Sequence, residues 1–152
     1  MIRGSHPDGF GSYHVTTGRP TFQRSAFRIR SELSSIRQEY SIHGDPAARE
    51  MPLVHVHVAC LFGDAFGSLL CDCRRELDSA ASAIARDGAG VIIYAKPREA
   101  TPASCARGGP VDAALVAGLL RAAGVREFRL LSDERDTRLR EELRRCGLTV
   151  AV

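Results

Sequence analysis

Pro52-Leu-Val-His-Val-His-Val58, followed after a cysteine-bearing segment and a helix by Gly90-Val-Ile-Ile-Tyr94, is the stretch that decides the fold. Val54, Val56 and Val58 alternate with His55 and His57, the two-residue period of a strand, so both imidazoles share one face. Between the two strands Leu77, Ala80, Ala81 and Ile84 recur at helical spacing, and Asp87-Gly88 supplies the stop. Gly90 to Tyr94 lacks alternation and reads as a buried strand. Strand, helix and strand in this order form a βαβ unit with parallel strands.

The same rhythm continues toward the C-terminus. Val111 to Ala123 is an Ala/Leu helix closed by Gly124, Glu127 to Leu131 a strand, Asp133 to Cys146 a charged helix, and Leu148 to Val152 a last strand. Toward the N-terminus the pattern weakens: Tyr13 to Thr17 and Phe27 to Glu32 read as strands, while Ser31 to Tyr40 fits a helix equally well. The expected architecture is therefore α/β (α+β), a β-rich N-terminal part followed by βαβαβαβ units. With no internal repeat or linker, residues 1–152 are expected to form a single domain. Lys96 to Pro110, with three prolines and two glycines, is the one long loop, and loops of that length tend to carry function.

Bulk properties exclude more than they indicate. The chain is 44% apolar and 26% charged, ordinary for a soluble domain, with no apolar run near membrane-spanning length. Its N-terminus lacks a signal peptide's apolar stretch, which places the expected location in the cytoplasm. Twenty of the 21 basic residues are arginines, but they are interleaved with acids and the net charge is only +3. No basic stripe with interleaved aromatics points to nucleic acid.

Three of the five cysteines fall in Cys60-Leu-Phe-Gly-Asp-Ala-Phe-Gly-Ser-Leu-Leu-Cys71-Asp-Cys73. Thiols clustered this tightly in a cytoplasmic protein read as metal ligands or reactive groups rather than a disulfide framework. Three soft ligands suit zinc with one position open, the pattern of catalytic rather than structural sites, provided no histidine closes it. Cys146, before Gly147 at a helix end, reads as a small packed residue, and Cys105, in the Gly/Pro-rich loop, as an exposed bystander in preference to a reactive thiol.

Pro52 to Leu77 resembles GTP cyclohydrolase II, whose pattern runs approximately P-x-V-R-V-H-S-E-C-L-T-G-D-x-x-G-S-x-R-C-D-C-G-x-Q-L. The matching residues are His57, Cys60, Leu61, Gly63, Asp64, Gly67, Ser68, Cys71, Asp72, Cys73 and Leu77. The likeness extends more loosely over residues 50–150. It implies a zinc ion on Cys60, Cys71 and Cys73, and a homodimer. Several family positions differ. His55 stands for a substrate-contacting arginine, Val58-Ala59 for Ser-Glu, Leu70 for an arginine, and Glu76 for a substrate-contacting glutamine. The family's E-G-R-G and D-x-R segments shorten to KPREATPASCARGGPVD, in which Glu99 is a displaced trace of the glutamate. Ser132-Asp133-Glu134-Arg135-Asp136-Thr137 replaces a phosphate-binding T-N-N-P-x-K, and its carboxylates repel a triphosphate.

A retained metal motif with a reduced GTP apparatus implies a repurposed zinc hydrolase. It would cleave a C–N bond in a small nitrogen-rich heterocycle, amidine or amide, the work of specialised biosynthesis rather than of GTP turnover. Such chemistry needs an activated water and a proton shuttle to the leaving nitrogen. His57 is the leading shuttle, because imidazole titrates near neutral pH; Asp64 and Glu99 complete the catalytic candidates. His55, Ser68 and Glu76 are the candidate substrate contacts. Each has a plainer reading: a hydrogen-bonded strand histidine, a turn-capping carboxylate or hydroxyl, a solvated charge. The alternative function is a non-catalytic zinc-containing binding or partner protein. A fourth protein ligand on the metal would favour that alternative, and an open position the hydrolase.

Overall fold

The structure, a computed structural model, describes residues 10–14, 26–31, 39–95, 105, 111–131 and 136–151. Strands β1 (Phe10–His14), β2 (Ala26–Ser31) and β3 (Glu39–His43) are followed by β4 (Leu53–Val58), helix α1 (Cys73–Asp87) and β5 (Gly90–Ala95). Helix α2 (Ala113–Ala122), β6 (Glu127–Leu130), α3 (Thr137–Arg145) and β7 (Thr149–Ala151) complete the order.

The seven strands among the described residues join one sheet in the order β1-β2-β3-β5-β4-β6-β7. The expected parallel character holds for the pairs β4–β5, β4–β6 and β6–β7. The three N-terminal strands run antiparallel, and β3 pairs antiparallel with β5. The mixed α/β architecture is thus the expected one. In the N-terminal part the details shift: the first strand lies at Phe10–His14, and residues 15–17 fall outside the described ones. Glu39 and Tyr40 belong to a strand, not a helix, because they pair with Tyr94 and Ile93 of β5.

Period-two alternation sorts the side chains of the central strands onto two faces. On one face Leu53 and Ile92 pack with Ala81 and Ile84 of α1. On the other, Val54, Val56, Val91 and Ile93 join Val116, Leu120, Phe128 and Leu143 in the larger core beneath α2 and α3. Each of these large side chains contributes roughly 1.5–3 kcal/mol by leaving water. His55, His57 and Tyr94 follow the parity of Leu53 and Ile92, and so lie on the α1 face. The α1 stop is as expected: Gly88 adopts φ +93°, a left-handed conformation open to glycine at low cost. At α2, Asp112 caps the first turn by accepting from the Ala114 and Leu115 N–H groups, both at 3.1 Å.

Two consequences position the site. The chain leaves the carboxyl end of β4 directly into Cys60, and Cys105 follows the adjacent parallel β5 in sequence. The carboxyl ends of parallel strands are where open α/β sheets gather their ligands.

Candidate metal centre

After β4 the backbone makes one wide helical turn, Leu61–Ala65, with Cys60 at its N-terminal boundary. The Cys60 sulfur accepts from the Gly63 N–H at 3.4 Å. The turn brings Gly63 against the thiols so closely that a Cβ there would stand 2.7 Å from Cys71 Sγ and 3.3 Å from Cys60 Sγ. Glycine at this position makes room for the sulfur cluster. Cys73 is the first residue of α1, where the positive end of the helix dipole favours a thiolate.

Four thiols converge, one more than the motif predicts. The Sγ atoms of Cys60, Cys71, Cys73 and Cys105 all lie within 4.8 Å of one another. Cys60 and Cys71 sulfurs are 3.8 Å apart, and those of Cys73 and Cys105 3.3 Å. Four sulfurs about 2.3 Å from a tetrahedral zinc ion stand roughly 3.8 Å apart, so the spacing fits such an ion. All five cysteines are free thiols. Burial pushes the Cys73 thiol strongly up, and the adjoining Cys105, Cys71 and Cys60 sulfurs push the same way. A metal binding here therefore displaces protons as it enters. The donor set, the spacing and the Gly63 cradle together suit a soft or borderline metal ion.

Cys105 is accordingly no bystander: its sulfur belongs to the cluster, although the residue is exposed. No signal in the loop sequence marks it, since loop ligands have no periodicity. Cys146 lies outside the cluster and packs partly buried against the larger core, as expected.

Beside the thiols lies a buried polar network centred on Asp64. Its carboxylate is 2.9 Å and 3.0 Å from His57 Nε2, accepts from the Cys60 N–H at 2.8 Å, and accepts from the Tyr94 hydroxyl at 2.7 Å. Burial opposes ionisation of Asp64, but the hydrogen bonds from His57, Tyr94 and Cys60 outweigh it and hold the carboxyl below its usual range. His57 is itself almost wholly buried and stacks on Tyr94, ring centroids 5.5 Å apart. The network grips Cys60 from behind, and His57 reaches the cluster through Asp64. Tyr94 was not among the expected site residues, although its register opposite His57 places both on one face.

His55 lies next to His57, ring centroids 5.6 Å apart, and its Nδ1 is 3.0 Å from the Leu131 carbonyl oxygen. Burial pushes its pKa down to about 4, so the ring is neutral at physiological pH with the proton on Nδ1. Nε2 is buried with no hydrogen-bond partner. Neither histidine joins the sulfur cluster.

The remaining expected residues are less engaged. Ser68 Oγ accepts from the Leu70 N–H at 3.2 Å, its turn-capping role. Glu76 lies half-buried in the first turn of α1. Asp72 precedes α1 and pairs with Arg75 at 2.9 Å. Arg74 donates to the Asp64 carbonyl at 2.7 Å and so ties α1 to the turn. Glu99 lies outside the described residues. In the segment between Cys60 and Cys71, Leu61, Phe62, Phe66, Leu69 and Leu70 are exposed apolar side chains. Among the described residues no helix is long and apolar enough to cross a membrane.

Comparison with known proteins agrees with this geometry. The family model for GTP cyclohydrolase II matches residues 13–108. GTP cyclohydrolase-2 of Streptomyces coelicolor is 35% identical over 134 residues, which cover 72% of this chain and 59% of that protein. Riboflavin biosynthesis protein RibBA of Salinispora arenicola is 33% identical over 150 residues, 83% of this chain and 35% of that protein. RibBA of Nocardia farcinica is 45% identical over 58 residues, 38% of this chain and 14% of that protein. The chain thus spans about three fifths of the Streptomyces protein's length, and less of the other two. Matched over more than half of its residues, and with the cysteine motif drawn together in space, the chain belongs to the GTP cyclohydrolase II family.

Proposed function

We propose that this chain is a zinc-dependent hydrolase that cleaves a C–N bond in a small nitrogen-rich heterocycle, amidine or amide. The observation that carries this reading is the convergence of Cys60, Cys71 and Cys73 sulfurs beside the buried Asp64 network. Bound to those thiolates, zinc supplies a Lewis acid and a water made nucleophilic near neutral pH.

The protein's own groups do the rest. Asp64 holds His57 by Nε2–H, which leaves the Nδ1 lone pair to accept a proton from the attacking water and then pass it to the leaving nitrogen. Tyr94 keeps Asp64 ionised and aligned. His55 offers the lone pair of Nε2, buried and unpartnered, to a substrate N–H; a nitrogen-rich ligand would satisfy it. Glu76 and Ser68 are further proposed contacts, and Glu99 a further catalytic candidate. The exposed leucines and phenylalanines beside the site suit a neutral, flat ligand better than a triphosphate. We also infer that the chain acts as a single-domain, cytoplasmic homodimer; a monomeric mass by light scattering would remove the dimer from this picture.

The test is to incubate zinc-loaded protein with a panel of heterocycles, amidines and amides and to follow addition of one water by mass spectrometry. Zinc-dependent conversion is expected, and His55→Ala should raise KM more than it lowers kcat. One observation favours a second reading: a fourth thiol on the metal is the mark of structural sites. A zinc-replete protein that leaves the whole panel unchanged supports a non-catalytic binding or partner role.

A further inference from the structure

The four sulfurs are not equivalent. Cys60, Cys71 and Cys73 come from one continuous segment, and two of them are buried. That segment is braced at several points: Asp64 holds the Cys60 N–H, Gly63 donates to the Cys60 sulfur, and Arg74 holds the Asp64 carbonyl. Cys105 arrives 32 residues after Cys73, beyond β5 in sequence, and is the exposed member of the cluster. Its sulfur is nevertheless 3.3 Å from that of Cys73, nearer than the Cys60–Cys71 pair at 3.8 Å.

We propose that Cys105 is a fourth metal ligand that closes the site at rest and yields its position to an incoming donor. This rests on the zinc reading above and reconciles it with a closed coordination sphere. Three braced thiolates retain the ion, and the solvent-side thiolate exchanges. On exchange the metal–sulfur bond of Cys105 breaks with its electron pair remaining on sulfur, and an oxygen or nitrogen donor supplies the pair that replaces it. The site is then not permanently open, as a three-cysteine motif implies, nor sealed like an inert four-thiolate centre. Exposure belongs to the one ligand whose departure would admit substrate from solvent.

The experiment is zinc-edge X-ray absorption on the full chain, before and after iodoacetamide treatment, with peptide mapping and zinc content measured on the same samples. The untreated protein should show four sulfur neighbours and about one zinc per chain. Alkylation should fall first on Cys105, leave the zinc bound, and change the shell to three sulfurs and one oxygen or nitrogen. Cys105→Ala should show that three-sulfur shell without treatment, and Cys146→Ala should keep four sulfurs. A three-sulfur shell in untreated protein overturns this proposal while leaving the hydrolase reading intact. Zinc lost on alkylation, or Cys105 unreactive in the loaded protein, overturns the exchange. A protein that binds no zinc overturns both readings together.

Discussion

Tyr94 and His57 lie in register across the parallel strands β5 and β4, and both hydrogen-bond to the carboxylate of Asp64. The same carboxylate accepts from the backbone of Cys60, so two strands and the first thiol meet on one side chain. Asp64→Asn keeps the shape but puts an amide donor among three donors. It should weaken zinc affinity about 10–100-fold, the usual effect of disturbing groups behind a metal ligand. Tyr94→Phe removes one donor and should cost about 1 kcal/mol in urea melts while leaving zinc bound. Unchanged zinc affinity in Asp64→Asn, measured by chelator competition, would refute the bracing role.

Gly63 is required for space rather than for backbone freedom. A methyl group there would meet Cys71 Sγ at 2.7 Å and Cys73 Cβ at 2.9 Å. Gly63→Ala should therefore reduce zinc affinity at least about tenfold. Gly67 offers the contrast, with open space around it but φ +64°. Gly67→Ala should cost about 1 kcal/mol of stability and leave zinc affinity alone. Equal effects of the two variants on zinc would contradict this division.

Acid should destabilise the protein partly through His55. Above its ordinary pKa of 6.5 the ring is neutral in both folded and unfolded chains. Between 6.5 and about 4 the unfolded chain binds a proton that the buried ring refuses, so stability falls as pH falls. The full loss is about 3 kcal/mol. Asp64, its carboxyl held low, adds a further loss as pH drops below the ordinary 3.8. His55→Gln should flatten the profile between pH 7 and 4.5 in urea melts; an unaltered slope would show that the ring accepts its proton in the folded state.

Triphosphate recognition should be weak. Asp133 and Glu134 stand where the family pattern carries two amides, Thr137 stands where it carries a lysine, and Asp136 adds a further carboxylate; like charges repel at short range. Calorimetry should find GTP binding no tighter than guanosine. A preference of about tenfold or more for GTP, some 1.4 kcal/mol, would mean that phosphate is recognised elsewhere.

The strands and helices after residue 52 were legible because each carries its own period: alternation in β4, helical spacing in α1, stops at Gly88 and Gly124. Strand order was not legible. Nothing local to Glu39–His43 announces that it pairs with β5 rather than β4, since that choice is made by packing. At the site, Cys60, Cys71 and Cys73 declared themselves by spacing, and His57 with Asp64 by their place in the motif. Cys105 and Tyr94 did not, because what matters about them is proximity: one lies 32 residues beyond Cys73 in sequence, and the other looks like any strand-end tyrosine.

The sulfur cluster begins at Cys60, just beyond the carboxyl end of β4 at the rim of the sheet, while the larger core lies between the sheet and α2 and α3. Rim segments can thus be rewritten without unsettling the framework beneath them. On such a scaffold, substrate preference can drift while the fold stands still. A chain that loses one ligand's apparatus need not lose its shape, and the sulfur cluster remains as a fixed point around which a new pocket can be assembled.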